Sequence, residues 1–124
     1  VRPMLFEPTS QKHAGRVCGG VALETIDRRA LASVRAGLAV IKAARDVLGA
    51  DFHWRTERYE FISDRLAIDL LMGGPGAREA LERNASLDEV CADFPAAEAA
   101  FAERARDHLL YARQTGPLSL ETAR

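Results

Sequence analysis

Lys12-His13-Ala14-Gly15-Arg16-Val17-Cys18-Gly19-Gly20-Val21-Ala22-Leu23-Glu24-Thr25-Ile26-Asp27-Arg28 organises the rest of the chain. It runs from a polar loop through an apolar stretch bent by two glycines to a carboxylate in front of a long amphipathic segment. Val17, Val21 and Leu23 predict a β-strand near 17–25. The Gly19-Gly20 pair predicts either positive φ at a bulge or the close approach of another backbone or a ligand. Asp27 reads as the N-cap of a helix over 28–48, in which Leu31, Val34, Leu38, Ile41 and Leu48 recur at three-and-four spacing and Gly49 is the stop. Arg35, Lys42 and Asp46 keep its other face wet, and Gly37 suggests close packing there. A strand handing over to a helix within one stretch points to an α+β domain.

Outward from this stretch, Met4, Leu5 and Phe6 lie between Pro3 and Pro8 and predict an edge strand near 2–7, because proline offers no ladder donor. Phe52, Trp54, Tyr59 and Phe61 alternate with polar residues and predict two short strands, or one strand and a loop, near 52–62. Ser63 or Asp64 can cap a short helix through Leu66, Ile68, Leu70 and Leu71, ended by Gly73-Gly74-Pro75; its apolar residues on nearly all sides predict burial. A helix over 76–83 closes at Asn84. Ser86-Leu87-Asp88-Glu89 is a capping box that starts another helix. Pro95 kinks or restarts it, and Phe94, Ala97, Phe101, Ala105 and Leu109 carry the stripe to Tyr111. The expected fold is α+β: a small, mainly antiparallel sheet packed against one long helix and several C-terminal helices. Residues 1–111 form one domain and 112–124 a flexible tail.

The chain has 124 residues, enough for one domain with its own core. Its net charge is -1 with both signs interspersed, which disfavours nucleic acid and anionic membrane as partners. No apolar run reaches the roughly 18 residues of a membrane helix. The start at Val1, without an initiating Met, leads us to expect a part of a longer protein. Cys18 and Cys91 fit no zinc spacing, and whether they pair stays open. His13, His53 and His108 share no metal-binding pattern, so no metal or cofactor is expected.

Several residues could carry chemistry, each beside a structural alternative. Lys12 and His13, before a glycine, could bind an anion or relay a proton, or be loop residues bonded to backbone. Cys18 near Arg16 and His13 could be a nucleophile or a small strand cysteine. Gly15, Gly19 and Gly20 do not form a dinucleotide fingerprint. Trp54 and Tyr59, flanked by Arg55 and Arg58, could form a sugar-stacking wall or close the edge of a small core. Asp69, inside an apolar helix, must find a cap, an arginine or a ligand. Glu24, Asp27 and Asp69 give no carboxylate pair at glycosidase separation, so no catalytic residue is assigned.

Taken in order, Phe6-x-Pro8-Thr9-x-x-Lys12-His13-x-Gly15-x-x-Cys18-Gly19-Gly20-Val21, Thr25-Ile26-Asp27-Arg28, Tyr59-Glu60-Phe61, Ile68-Asp69-Leu70-Leu71-x-Gly73 and Leu109-Leu110-Tyr111 resemble the C-terminal domain of the NamZ-type exo-β-N-acetylmuramidases. The sequence departs from that family where Ser10 replaces a usual aromatic and Glu24 a frequent histidine. The resemblance implies a bacterial peptidoglycan glycoside hydrolase acting on non-reducing-end N-acetylmuramic acid, periplasmic or secreted. It further implies a separate N-terminal Rossmann-like domain holding the catalytic carboxylates. This chain would be the accessory half, shaping the cleft and touching sugar through Lys12, His13, Gly19 and Gly20, with Trp54, Tyr59 and Asp69 as further contacts. The rival expectation is a protein-protein interaction module without sugar binding.

Overall fold

The computed structural model describes residues 1–111. They divide into two compact units, one over Val1–Ala44 and one from Arg45 onward.

In the first unit, β1 (Arg2–Phe6) and β2 (Cys18–Ala22) form an antiparallel ribbon with Arg2 opposite Ala22 and Phe6 opposite Cys18. Partners across such a ladder share a face. Met4 with Cys18, Gly20 and Ala22 make up the half-buried side. Leu5 and Val21 stand on the opposite side, 75% and 56% exposed, and Val1, Val17 and Leu23 continue the exposed alternation. The glycine pair carries no bulge, for the register runs unbroken. What comes close to Gly20 is a side chain rather than a backbone or a ligand: a Cβ there would stand 2.8 Å from Cε1 of Phe6.

The long helix, α1 (Ser33–Leu48), starts five residues later than expected. Asp27 is not its cap. The Asp27 carboxylate accepts from the Arg29 N–H at 2.9 Å, a local side-chain turn that competes with helix and holds residues 28–30 in a turn. The helix ends where expected, at Leu48, and Gly49 follows with φ +56, a left-handed value that glycine adopts freely. Leu38, 2% exposed, is its buried residue, while Val34 and Leu48 are half exposed, so the stripe is only partly covered. The close packing expected at Gly37 is absent; a Cβ there meets nothing within 4 Å.

The third strand expected near 52–62 does not form. Tyr59 and Ile62 exchange N–H to C=O bonds of 3.1 and 3.0 Å around Glu60, whose φ of +52 turns the chain back at once. The sheet of the described residues therefore has two strands.

In the second unit, α2 (Ala67–Leu71), α3 (Gly76–Glu82), α4 (Leu87–Val90) and α5 (Phe94–Ala105) follow in order. α3 packs against both α2 and α4, and its Ala80 and Leu81 join Val90 and Cys91 as the buried residues. The full burial expected of the short apolar helix is not reached: its residues are half-buried, and Leu71 is 67% exposed. Pro95 stands in the first turn of α5, where its missing N–H costs nothing. Phe101 on that helix is exposed, and the helical stripe stops at Ala105 rather than Tyr111. The tail expected over 112–124 lies outside the described residues.

The capping box of α4 forms as read. The Glu89 N–H donates to Ser86 Oγ at 3.2 Å, and Glu89 Oε2 accepts from the Ser86 N–H and hydroxyl, each at 2.7 Å. These bonds, the hydroxyl first, hold the Glu89 carboxyl below its ordinary value of 4.5. Ser86→Ala is expected to cost about 1 kcal/mol in urea unfolding. A depressed folded-state pKa contributes stability above the unfolded value and loses it on acidification. The stability gap between the parent chain and Glu89→Gln should therefore be full at neutral pH and close as pH falls below 4.5.

Candidate functional site

Among the described residues, the densest polar arrangement lies between α2, α3 and the irregular segment that follows α1. α2 presents Asp69 and α3 presents Arg78 and, one turn later, Glu82. Arg78 donates from Nε to Asp69 Oδ1 at 2.8 Å and from Nη2 to Oδ2 at 3.1 Å, a two-pronged pairing for which guanidinium is shaped. From Nη1 it donates to both oxygens of Glu82, each at 3.1 Å. The Trp54 indole N–H donates to Glu82 Oε1 at 2.9 Å. The rings of Phe52 and Trp54 stand perpendicular, 89° apart, with centroids 5.0 Å away.

The side chains of Asp69 and Arg78 are 11% and 18% exposed, so the pair is largely screened from water. Bonds to Asp69, then to Glu82, raise the Arg78 pKa above its already high ordinary value, leaving it a permanent cation. Arg45, in the last turn of α1, donates to Asn84 Oδ1 at 2.7 Å and to the Glu82 carbonyl at 3.1 Å. It thereby satisfies an end carbonyl of α3 just where Asn84, at φ +60, leaves the helix. An open cleft lined by Arg65, Asp69, Gly73, Pro75, Arg78 and Glu79 borders the cluster.

Of the residues singled out from the sequence, the structure joins Trp54 and Asp69 through Arg78 and Glu82. The arginine partner that Asp69 required is Arg78. Tyr59 belongs to the 59–62 turn, and no ring contact links it to Trp54 among the described residues. The arginines flanking the aromatics are otherwise engaged: Arg55 pairs with Glu57 at 3.3 Å, and Arg58 lies 5.9 Å from the centre of the exposed Phe61 ring. In the first unit, Lys12 and His13 ride exposed on a turn closed by the Gly15 N–H on the Pro8 carbonyl at 2.9 Å. His13 itself has φ +59, and Gln11 and Gly15 are also left-handed. Gly19 and Gly20 lie in β2 of the same unit. Cys18 and Cys91 are both free thiols; Cys18 donates weakly to the Arg16 carbonyl at 3.5 Å, and Cys91 is buried.

Arg78 and Glu82 lie outside the site residues expected from the sequence. Their separation of four residues on one helix was the available signal, since it places an arginine one turn from a carboxylate.

Residues 1–111 match the family described as exo-beta-N-acetylmuramidase NamZ, C-terminal. The chain belongs to the NamZ C-terminal family. It is 31% identical over 110 residues to the peptidoglycan beta-N-acetylmuramidase NamZ of Bacillus subtilis (strain 168), an alignment covering 89% of this chain and 25% of that protein. The chain thus spans about a quarter of the length of that NamZ relative. No solved structure matches it. Among the described residues, no helix is long and apolar enough to cross a membrane.

Proposed function

We propose that this NamZ C-terminal domain is the accessory part of a bacterial exo-β-N-acetylmuramidase and forms a wall of the cleft that receives non-reducing-end N-acetylmuramic acid. The catalytic carboxylates that glycoside hydrolysis requires belong, on this reading, to an N-terminal Rossmann-like domain of the parent protein. The half-buried indole of Trp54, held by Glu82 and by Phe52, supports the sugar-contact role most directly, since a fixed flat ring suits the apolar face of a sugar. For Lys12 and His13, exposed on the turn of the first unit, we propose a separate contact with an anionic group of the peptidoglycan fragment.

The test is a titration of the chain with the N-acetylmuramyl-N-acetylglucosamine disaccharide, followed by fluorescence. Trp54 is the only tryptophan, so the signal has one source. A saturable change is expected, with Trp54→Ala weakening calorimetric affinity about tenfold, equivalent to one stacking contact of roughly 1.5 kcal/mol. No response at millimolar disaccharide would remove the sugar-contact role.

A second reading is favoured by the solvent-facing side of the ribbon, where Leu5, Val21 and Leu23 are all more than half exposed. A two-stranded ribbon is marginal in water by itself, and apolar residues gathered on one face mark a contact surface. We infer that the rest of a NamZ-length protein covers this face. A chain that ignores the disaccharide yet self-associates through Leu5 and Val21 would instead favour a protein-protein interaction module.

A further inference from the structure

An indole side chain has two free torsions, so fixing both requires two independent restraints. Trp54 has them: the perpendicular contact with Phe52 restrains its plane, and the bond from its N–H to Glu82 restrains its direction. The second restraint is only as firm as Glu82, whose side chain is 40% exposed at the end of α3. Glu82 is steadied by both of its bonds from Arg78, and Arg78 by its two-pronged bond to Asp69, the least exposed member of the series.

We propose that Asp69, Arg78 and Glu82 form a positioning relay whose purpose is to set the Trp54 ring for its ligand. Arg78 is the central positioning residue. It keeps Glu82 paired and oriented so that Oε1 can accept from the indole while also accepting from Arg78. The guanidinium bonds to both Asp69 oxygens, so in the relay Asp69 acts on Trp54 by fixing Arg78. The ligand class, a muramyl sugar, rests on the function proposed above; the relay itself does not.

Simple stabilisation of α3 would need only the Arg78–Glu82 pair, one turn apart. The relay adds a carboxylate from another helix and an indole from an irregular segment. It therefore makes a demand on geometry that charge alone cannot meet. Lysine keeps the charge but cannot reproduce a fork that bridges two carboxylates.

The experiment compares the parent chain with Arg78→Lys, Glu82→Gln, Glu82→Ala and the core control Leu81→Ala. The readouts are acrylamide quenching and anisotropy of the single tryptophan, the melting temperature, and affinity for the disaccharide. Releasing one of two restraints in Arg78→Lys should raise the quenching constant and lower the anisotropy about twofold, since the ring recovers rotamer freedom. Its disaccharide affinity should fall about tenfold. Glu82→Gln retains an oxygen acceptor for the indole and should recover part of what Glu82→Ala loses. Leu81→Ala should lower the melting temperature while leaving the quenching of its folded form as in the parent.

Parent-like quenching and anisotropy in Arg78→Lys and Glu82→Ala would overturn the relay. So would a change in Arg78→Lys no larger than in Leu81→Ala. A freed Trp54 in Arg78→Lys, in a parent chain that does not bind the disaccharide, would support the relay and overturn the sugar assignment alone.

Discussion

Leu81→Ala is expected to destabilise the second unit by about 3 kcal/mol, read from urea unfolding, because large-to-small changes at sealed positions lose both transfer free energy and packing. Leu81 is 1% exposed, and the other buried residues of its unit are Ala80, Val90 and Cys91. Two of those three have small side chains, so little can move into the space left behind. A domain of this size has roughly 5–15 kcal/mol of stability in total, so such a loss is a large share of it. Leu81→Met, which nearly conserves volume, should cost less than about 1.5 kcal/mol. Equal losses for the two variants would mean that Leu81 does not seal the contact of α3 with its neighbours.

The Asp69–Arg78 pair should show the second large effect. Arg78→Ala leaves a carboxylate with 11% side-chain exposure facing no cation at its former partner's place, and removing one member of a screened pair costs more than the pair itself contributes. The expected order of melting temperatures is parent highest, Arg78→Ala lowest, and the Asp69→Ala/Arg78→Ala double variant between them. That order requires the two substitutions to be strongly non-additive, which a double-mutant cycle reads directly. Added salt should change the coupling little. The Arg2–Glu24 pair, with side chains 62% and 68% exposed, should contribute little and be screened by the same salt. Additive losses at Asp69 and Arg78 would contradict the geometry.

How far the sequence reveals this domain depends on whether a signal is local. The capping box Ser86-Leu87-Asp88-Glu89 and the stop at Gly49 are each specified within a few residues, and each forms. The errors arise where one residue type serves two local structures. Asp27 can cap a helix or close a turn on Arg29, and the turn wins. Alternation over 52–62 fits a strand equally well until Glu60 reverses the chain and Trp54 is drawn to Glu82, a partner 28 positions away. The family resemblance is legible in the motif order, and residues 1–111 match the family. The cluster was half legible. Asp69 stands out as a carboxylate among apolar neighbours and so demands a partner. Arg78 is one of many arginines, and only the packing of α3 on α2 selects it.

The central claim, that Trp54 is held in place to meet a muramyl sugar, is tested most directly by the indole N–H resonance of the 124-residue chain, unique because Trp54 is the only tryptophan. In the free chain this proton should exchange slowly with water, being bonded to Glu82. Adding N-acetylmuramyl-N-acetylglucosamine should move the resonance saturably, and the same concentration of an N-acetylglucosamine disaccharide, which lacks the lactyl carboxylate, should move it less. A resonance that exchanges rapidly, or that stays fixed through millimolar muramyl disaccharide, would contradict the account.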